Sequence, residues 1–426
     1  MKILVIGSGG REHALIWALA NTSVDRAELF CAPGNAGIAQ LATCVPVNPH
    51  EIEELANFAA ENAIDLTFVG GEAALAAGIV DTFASRGLAI VGPTQAAARL
   101  ESSKAFAKDF MARHQIPSAF YRIAGSVADA TAVLNSGAFG EDSAAVVIKA
   151  DGLAAGKGVV VAGSRAEAIK AIEALMLDHV AGADAAAQIV IEEALSGPEV
   201  SLLLFTDGQD FVLMPAARDH KRIGENDTGP NTGGMGAITS SGLIDHELLD
   251  QIVSTVVEPT LAGARAEGFQ FQGVLFIGLM LTAAGPRVLE YNVRFGDPEA
   301  QAILVRLKSP LLEIFEAIAG KRLREVTPVW EPGSSACVVL ASAGYPQSPQ
   351  TGAVIHGLDG SAGEVQIFHA GTDRSAAGEW HTAGGRVLGV TARGNDLPQA
   401  LSRCYEAISA INWEGMQFRR DIGRGR

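Results

Sequence analysis

Cysteine is scarce in this 426-residue chain: Cys31, Cys44, Cys337 and Cys404 are all there are. They form no C-x-x-C pair and are too sparse for a disulfide framework, so reduced, buried thiols in a cytoplasmic protein are expected. Basic residues are also in short supply, 32 Lys and Arg against 48 Asp and Glu, for a net charge of −16. An acidic surface of that size repels nucleic acid and anionic lipid, so a phosphate-bearing ligand must meet a local basic or backbone-amide site. Long apolar runs are missing as well. The densest uncharged apolar stretch lies between Glu267 and Arg287, and Gln270, Gln272, Gly273, Gly278 and Gly285 interrupt it. Only Val274–Leu281 is densely apolar, which is too short for a bilayer span and fits a buried strand. The first apolar run, Ile3–Ile6, ends in glycines and reads as a strand, not a signal peptide.

What the chain does have is apolar residues, 48% of the total, and 48 glycines. That is ample material for buried cores, and it excludes disorder or a fibre as a description of the whole chain. At roughly 150 residues per domain, the length suggests about three domains. Strands at Ile3–Ile6, Leu29–Cys31, Leu66–Val69 and Leu88–Val91 alternate with helical spacing over Glu12–Ala20, Ile52–Ala60 and Ala73–Ser85. That alternation predicts a parallel, doubly wound sheet. A helix follows at about Ser103–His114, capped by Ser102 or Ser103. Strands Ala144–Lys149 and Val159–Val161 flank a glycine loop, and Ile189–Glu192 and Val200–Phe205 are further strands. Leu248–Ala264 reads as a long helix kinked at Pro259. Val274–Leu281 and Val288–Asn292 read as an antiparallel pair. Pro310–Ala319 reads as a helix with Ser309 as its cap and Pro310 at its first position. From about Glu331, short β runs between Gly, Ser and Pro turns predict a small β-rich C-terminal domain closed by a helix near 397–410.

Five segments carry candidate chemistry. In Gly7-Ser8-Gly9-Gly10-Arg11-Glu12-His13, glycines between a strand and a helix let backbone amides approach an anion. The dinucleotide fingerprint fails, because Glu12 stands where its third glycine would be and no acidic residue ends the second strand. The segment therefore suits a phosphorylated small substrate, or is simply a tight strand-to-helix turn. The stretch from Lys149 to Gly158 holds Gly152, Gly156 and Gly158 between apolar strands. Its spacing is wrong for a Walker loop. A glycine hairpin of this kind can cover a polyphosphate with its amides while Lys149 and Lys157 supply charge. In Glu290-Tyr291-Asn292-Val293-Arg294, period-two alternation puts Glu290, Asn292 and Arg294 on one face of a strand. A carboxylate and an amide oxygen, completed by water and phosphate oxygens, suit Mg²⁺, and Arg294 suits a phosphate or carboxylate. Residues 219–236 form eighteen positions without apolar period, the mark of a functional loop or of a disordered insert. The strand end Ile191–Glu199 could meet an adenine edge and a ribose, or be merely solvated.

Together these segments resemble the ATP-grasp ligases, in particular the branch of purine biosynthesis that joins glycine to 5-phosphoribosylamine. The most specific stretches are 7–14, 32–37, 103–110, 148–159, 219–236 and 292–301. The resemblance implies an α/β and α+β multidomain fold. It comprises an N-terminal doubly wound parallel sheet over 1–102, an ATP-grasp core over 103–325 with a mobile lid at about 122–193, and a small β-rich domain over 326–426. It implies that ATP phosphorylates the glycine carboxylate and that the amine of 5-phosphoribosylamine displaces the phosphate, with Mg²⁺ or Mn²⁺ at the nucleotide. By resemblance, Lys104 and Lys149 contact ATP, Gly156, Lys157 and Gly158 cover its phosphates, Glu192, Glu193 and Leu195 form the adenine hinge, and Glu199 takes the ribose. Glu290 and Asn292 hold the metal. Gly9, Gly10, Asp219, Lys221, Asn231, Gly233 and Arg294 line the substrates, and Arg294, Lys149 and Asp297 serve the chemistry. No nucleic-acid or membrane partner is expected, and the chain is read as a monomer or weak homo-oligomer.

Two departures stand out. The strand before Glu290 reads Phe276-Ile277-Gly278-Leu279-Met280 and lacks the second metal carboxylate common in the superfamily. The Gly70–Leu75 loop lacks two prolines that similar sequences carry. Two other readings compete: a formate-using or carboxylase-type enzyme of the same superfamily, from which the 219–236 loop discriminates, and a nucleotide-binding regulator without catalysis. The presence of Glu290, Asn292, Lys149 and Arg294 argues against the regulator.

Overall fold

A computed structural model describes residues 1–22, 27–154, 158–182, 184–269, 271–358 and 364–424. The first sheet is parallel throughout, in the order Thr43–Cys44, Glu28–Pro33, Lys2–Gly7, Leu66–Val69, Ile90–Val91. Its chain order reverses beside Lys2–Gly7, so the loops after Gly7, Pro33 and Val69 open at the carboxyl edge of a switch point, where doubly wound sheets bind ligands. The apolar run Ala73–Ser85 is two helices, Glu72–Ala76 and Ile79–Ser85, and not one. Gly78, at φ 87°, breaks it, because a left-handed residue cannot continue the helix.

The central sheet runs Gly285–Asn292, Gly273–Thr282, Glu199–Thr206, Ala217–Asp219, Gly236–Thr239, Ser334–Ala341, Arg386–Gly394, Val365–His369, with Phe211–Leu213 paired to Glu199–Thr206. Strands from both sides of residue 326 thus share one hydrogen-bonded sheet, joined where Gly236–Thr239 pairs with Ser334–Ala341. Alternate residues of each strand feed different cores. Leu4 and Ile6 pack with Leu202, Leu204, Leu275 and Ile277, whereas Ile3 and Val5 pack with Leu203, Phe205 and Phe276. Across the second core Phe68 stacks on Phe315 at 4.3 Å. The first domain is therefore bolted onto the central sheet by shared apolar burial.

A four-stranded sheet, Tyr121–Ala124, Ile189–Glu193, Val146–Ala150, Val159–Ala162, stands apart with helices Val127–Asn135 and Arg165–Met176. It has its own core of Ala124, Leu134, Ile148, Ile172 and Ile191.

Three local expectations change. The helix expected from Ser103 is preceded by another, Gln95–Ser102, capped by Thr94, and Ser103 both ends the first and caps Lys104–Arg113. The expected kink at Pro259 is a π-helical turn, Val253–Val257, placed before the proline that withholds an amide from the ladder. Ser309 does not cap the next helix. It accepts the amide of Val329 at 2.8 Å, and Pro310 occupies the cap position of Leu311–Ala319.

Candidate active site

The candidate site lies where the four-stranded sheet meets the central sheet. Lys149, on Val146–Ala150, is buried, and its ammonium donates to the carbonyl of Leu289 at 3.0 Å. The four-stranded sheet thereby touches the strand Gly285–Asn292 one residue from Glu290. The same ammonium lies 2.8 Å from Glu192 Oε1, and Lys108 Nζ lies 2.9 Å from Oε2. Glu192 thus sits between two lysines, and the second of these, Lys108, lies within the stretch 103–110 but is given no role by the resemblance. Glu193 is exposed. Its amide donates to Phe120 O at 3.0 Å and its carboxylate accepts Phe120 N at 2.8 Å, so it ties the end of its strand to Phe120. Leu195 follows, half-buried, beyond the strand end.

Lys104 opens the helix Lys104–Arg113. Asp151, at the start of the glycine loop, grips that helix start: Asp151 Oδ1 accepts Ala105 N at 2.7 Å and Ser103 Oγ at 3.0 Å, and Asp151 O accepts Lys104 N at 3.0 Å. A Cβ at Gly158 would stand 2.7 Å from Ala154 Cβ, so the loop's close return needs glycine there. Gly156 and Lys157 lie outside the described residues.

Glu290 and Asn292 share a face, as period two requires. Burial opposes ionisation of Glu290, but Lys221, Lys149, Lys104 and Arg294 together hold its carboxyl below the usual value. Among the described residues its carboxylate forms no hydrogen bond and no ion pair. An ionised, unpartnered carboxylate ringed by cations fits a divalent cation, and Asn292 offers one further oxygen. That oxygen accepts Arg294 Nη2 at 3.3 Å. Among the described residues no three His, Cys, Asp or Glu side chains cluster at ligating range. A cation here would therefore draw its other ligands from substrate and water.

Arg294 is anchored from the first domain. Nε donates to Glu72 Oε2 at 3.1 Å and Nη2 to Glu101 Oε1 at 2.8 Å. Glu101 also accepts Val293 N at 2.8 Å. Burial opposes the charge on Glu72, yet Arg294 and Arg11 bring its pKa down to about 2. Burial raises Glu101 despite Arg294. Neither carboxylate shows in a local pattern.

Lys221 Nζ meets Glu199 Oε2 at 2.8 Å. Burial works against the Lys221 charge, but Asp219, Glu199 and Glu290 raise its pKa well above the ordinary value. Asp219 is raised by burial, with Lys221 opposing and Glu199 and Glu290 adding to the rise. Asn231 pairs in register with Arg222 across a short hairpin, Arg222–Gly224 with Thr228–Asn231, so residues 219–236 are ordered. Gly233 receives two contacts from the C-terminal domain. Its amide donates to Tyr345 Oη at 3.0 Å and its carbonyl accepts Arg386 Nη1 at 2.5 Å. Arg386 Nη2 also pairs with Asp297 Oδ2 at 2.9 Å, and Gln301 Nε2 donates to Asp297 Oδ1 at 2.8 Å. Burial works against ionising Asp297, and Arg386 and Arg11 hold it lowered.

The Gly9 amide is not free for an anion: it donates to Glu12 Oε2 at 2.6 Å. Glu12 folds back onto the turn, into space that a Cβ at Gly7 or Gly70 would take. This is why an acid stands where a dinucleotide loop has glycine. Gly10 abuts Gln301, whose Nε2 would lie 2.7 Å from a Cβ there. Glu299, within the stretch 292–301 but given no role there, is also brought in. Buried, with Ser201 Oγ at 3.4 Å, it has a pKa raised to about 7 by burial first and then by Asp219.

The sequence matches three family descriptions in order: Phosphoribosylglycinamide synthetase, N domain, over residues 1–101; its ATP-grasp (A) domain over 102–300; and its C domain over 335–425. The chain belongs to the phosphoribosylglycinamide synthetase family. It is 46% identical over 426 residues to the phosphoribosylamine–glycine ligase of Xanthomonas axonopodis pv. citri, covering 99% of this chain and 97% of that protein. To the Pseudomonas aeruginosa ligase it is 47% identical over 427 residues, at the same coverage. The crystal structure of the phosphoribosylamine–glycine ligase from Thermotoga maritima superposes with a TM-score of 0.85 at 33% identity, covering 99% of this chain and 100% of that one. The biotin carboxylase domain of a 2-oxoglutarate carboxylase from Hydrogenobacter thermophilus, a complex with MgADP, ADP and bicarbonate, shares the fold at TM-score 0.75 and 16% identity, covering 98% of this chain and 91% of that one.

Proposed function

We infer that the protein joins glycine to 5-phosphoribosylamine with ATP, yielding glycinamide ribonucleotide, ADP and phosphate. The full-length match to relatives bearing that activity's name carries the reading. A free carboxylate is a poor acyl donor. A glycine carboxylate oxygen therefore attacks the γ-phosphorus of ATP and ADP departs. The amine nitrogen then attacks the carbonyl carbon of glycyl phosphate, phosphate leaves, and one proton is lost from nitrogen.

The residue roles are our proposal. Lys149 and Lys104 hold ATP phosphate oxygens as point charges, and Glu192 with Leu195 frames the base. Glu290 and Asn292 would hold Mg²⁺ or Mn²⁺, which when bound neutralises phosphate charge. Arg294, stiffened by Glu72 and Glu101, orients the glycine carboxylate or the acyl phosphate, since a guanidinium clamped on two sides loses little freedom on binding. Asp219, Lys221, Asn231 and Gly233 face the amine substrate. Asp297 fixes the 219–236 segment to the C-terminal domain through Arg386. The lid, with Gly156, Lys157 and Gly158, excludes water from a mixed anhydride that water would destroy. Domain limits at 102 and 325, a cytoplasmic setting and a monomer or weak homo-oligomer complete the reading. No helix among the described residues is long and apolar enough to cross a membrane.

The test is ADP release from ATP and Mg²⁺ with glycine and fresh 5-phosphoribosylamine. Turnover requiring both substrates is expected. Turnover with formate or bicarbonate in place of glycine would overturn the reading.

A further inference from the structure

Residues 417–424, which follow the last helix Leu397–Ile408, lie behind the hairpin 222–231. Arg419 is the centre of that contact, its side chain only 1% exposed. Its Nη1 donates to Asp227 Oδ1 at 2.8 Å and to the carbonyl of Arg222 at 3.1 Å. Its Nε and Nη2 donate to Asp421 Oδ1 and Oδ2 at 2.8 and 2.9 Å. Asp421 Oδ2 in turn accepts the amide of Asn226 at 2.8 Å, and Glu225 Oε1 accepts the amide of Arg420 at 3.2 Å. His220 Nε2 accepts the amide of Gly423 at 3.1 Å. Tyr405, on the last helix, donates to the Arg419 carbonyl at 3.0 Å and accepts Ile422 N at 3.2 Å. The segment is thus tied to its own domain on one side and to the hairpin on the other.

Two features make this more than surface packing. Asn226 and Asp227, at the hairpin tip, are consecutive residues with φ of 54°, the left-handed region that Asn and Asp tolerate better than other L residues but that still costs energy unless it is held. In that conformation Asp421 takes the Asn226 amide and Arg419 the Asp227 carboxylate. The second feature is sidedness. In extended chain, side chains alternate, so Asp219 and Lys221 face one way and His220 the other. Lys221 reaches Glu199 on the substrate side, and His220 reaches Gly423 on the far side.

We propose that Arg419 is a positioning residue for the amine-substrate side of the site. It fixes the hairpin that follows Lys221 and carries Asn231, while Lys149 and Glu192 on the nucleotide side are paired with each other within the four-stranded sheet. This rests on the ligase reading for its kinetics, but not for its structural half.

The decisive variants are Asp227→Ala, which removes an exposed partner and leaves the buried arginine paired with Asp421, and Arg419→Lys, which keeps the charge but loses the fork. In Asp227→Ala, KM for 5-phosphoribosylamine is expected to rise about fivefold to tenfold, with KM for ATP within about twofold of wild type. Limited trypsin cleavage after Arg222 should accelerate in both variants. Unchanged KM for the amine, or KM for ATP rising in step with it, would overturn the positioning role. Unchanged cleavage would show that the hairpin holds itself. Should wild type fail to turn over glycine, the ligase reading falls, and the cleavage rates alone decide whether the segment holds the hairpin.

Discussion

Lys149 and Glu192 are joined across neighbouring strands of the four-stranded sheet by a 2.8 Å ion pair, and Lys108 takes the other oxygen of the same carboxylate at 2.9 Å. One acid thus serves two buried ammonium groups. Removing the acid strands both cations, whereas removing Lys108 leaves a complete pair. Glu192→Ala should therefore destabilise the protein by about 3–5 kcal/mol, the scale for a buried charge losing its partner, and Lys108→Met by clearly less. Chemical denaturation of the two variants checks the order, and equal losses would refute the shared role.

Lys108 also titrates unusually. Burial first, and then Lys149, bring its pKa down to about 8 against the pull of Glu192. Between pH 8 and 10.5 the unfolded chain holds that proton and the native protein has released it. Stability contributed through Lys108 therefore rises with pH across that window. The difference in unfolding free energy between wild type and Lys108→Met should shift in favour of wild type from pH 8 to 10.5. A difference that stays flat would place Lys108 in contact with water.

Glu290→Gln keeps shape and removes the charge that four cations surround. The expected result is a kcat lowered by about 10²-fold or more with the unfolding midpoint preserved, on the scale of losing an electrostatic partner of the transition state. Steady-state kinetics beside a thermal melt decide it. Near-normal kcat would mean that any divalent cation is held elsewhere.

These residues were legible because their signals are local. Period two sets Glu290, Asn292 and Arg294 on one face, and apolar runs on either side of 152–158 announce a hairpin. What stayed hidden came from far along the chain. Glu101 reaches Arg294 across 193 positions, and Arg386 reaches the Gly233 carbonyl across 153. No periodicity within a window of ten or twenty residues encodes such meetings. The continuity of the central sheet into the C-terminal domain was hidden for the same reason, since pairing of Gly236–Thr239 with Ser334–Ala341 leaves no mark on either strand. Ser309 misled because a serine before Pro and an apolar helix is a good cap locally, and a tertiary partner, Val329, took its hydroxyl instead. Glu12 was half legible: its failure to be glycine excluded a dinucleotide, but not that it would occupy the turn itself.

Glu299 gives a second pH signature, of opposite sign to that of Lys108. Its pKa, raised to about 7 by burial and Asp219, means that the native protein holds a proton which the unfolded chain has released from about pH 4.5 upward. Stability contributed through Glu299 is present below pH 4.5 and is lost as pH rises through 7. Glu299→Gln cannot ionise, so it should match wild type near pH 4.5 and exceed it in unfolding free energy at pH 8. Denaturant titrations at the two pH values test this, and a variant weaker than wild type at pH 8 would show the carboxylate to be needed in its charged form.

The seam between the first domain and the C-terminal domain should be the first to fail in acid. His13 Nδ1 accepts the amide of His369 at 2.8 Å, and a proton on that nitrogen would destroy the bond. Burial and the neighbouring His369 bring the His13 pKa down to about 3, with the His369 backbone opposing, and burial brings His369 to about 4. The facing polar groups, Thr372 on His369 and the Asn35 amide on the His369 and Ala370 carbonyls, carry no charge to offset an imidazolium. Both groups are lowered from 6.5. Their contribution is therefore complete above pH 6.5 and drains away as pH falls towards 4, because the unfolded chain takes up protons that the native seam refuses. Trp380 lies 4.5 Å from His369, and Trp17 lies 5.8 Å from Phe368, ring to ring. Tryptophan fluorescence should change between pH 6.5 and 4 before far-UV circular dichroism does. His13→Gln, which keeps an acceptor near the His369 amide but cannot titrate, should move that fluorescence change to lower pH. Coincident loss of both signals in wild type, or no movement in the variant, would show that acid unfolding starts elsewhere.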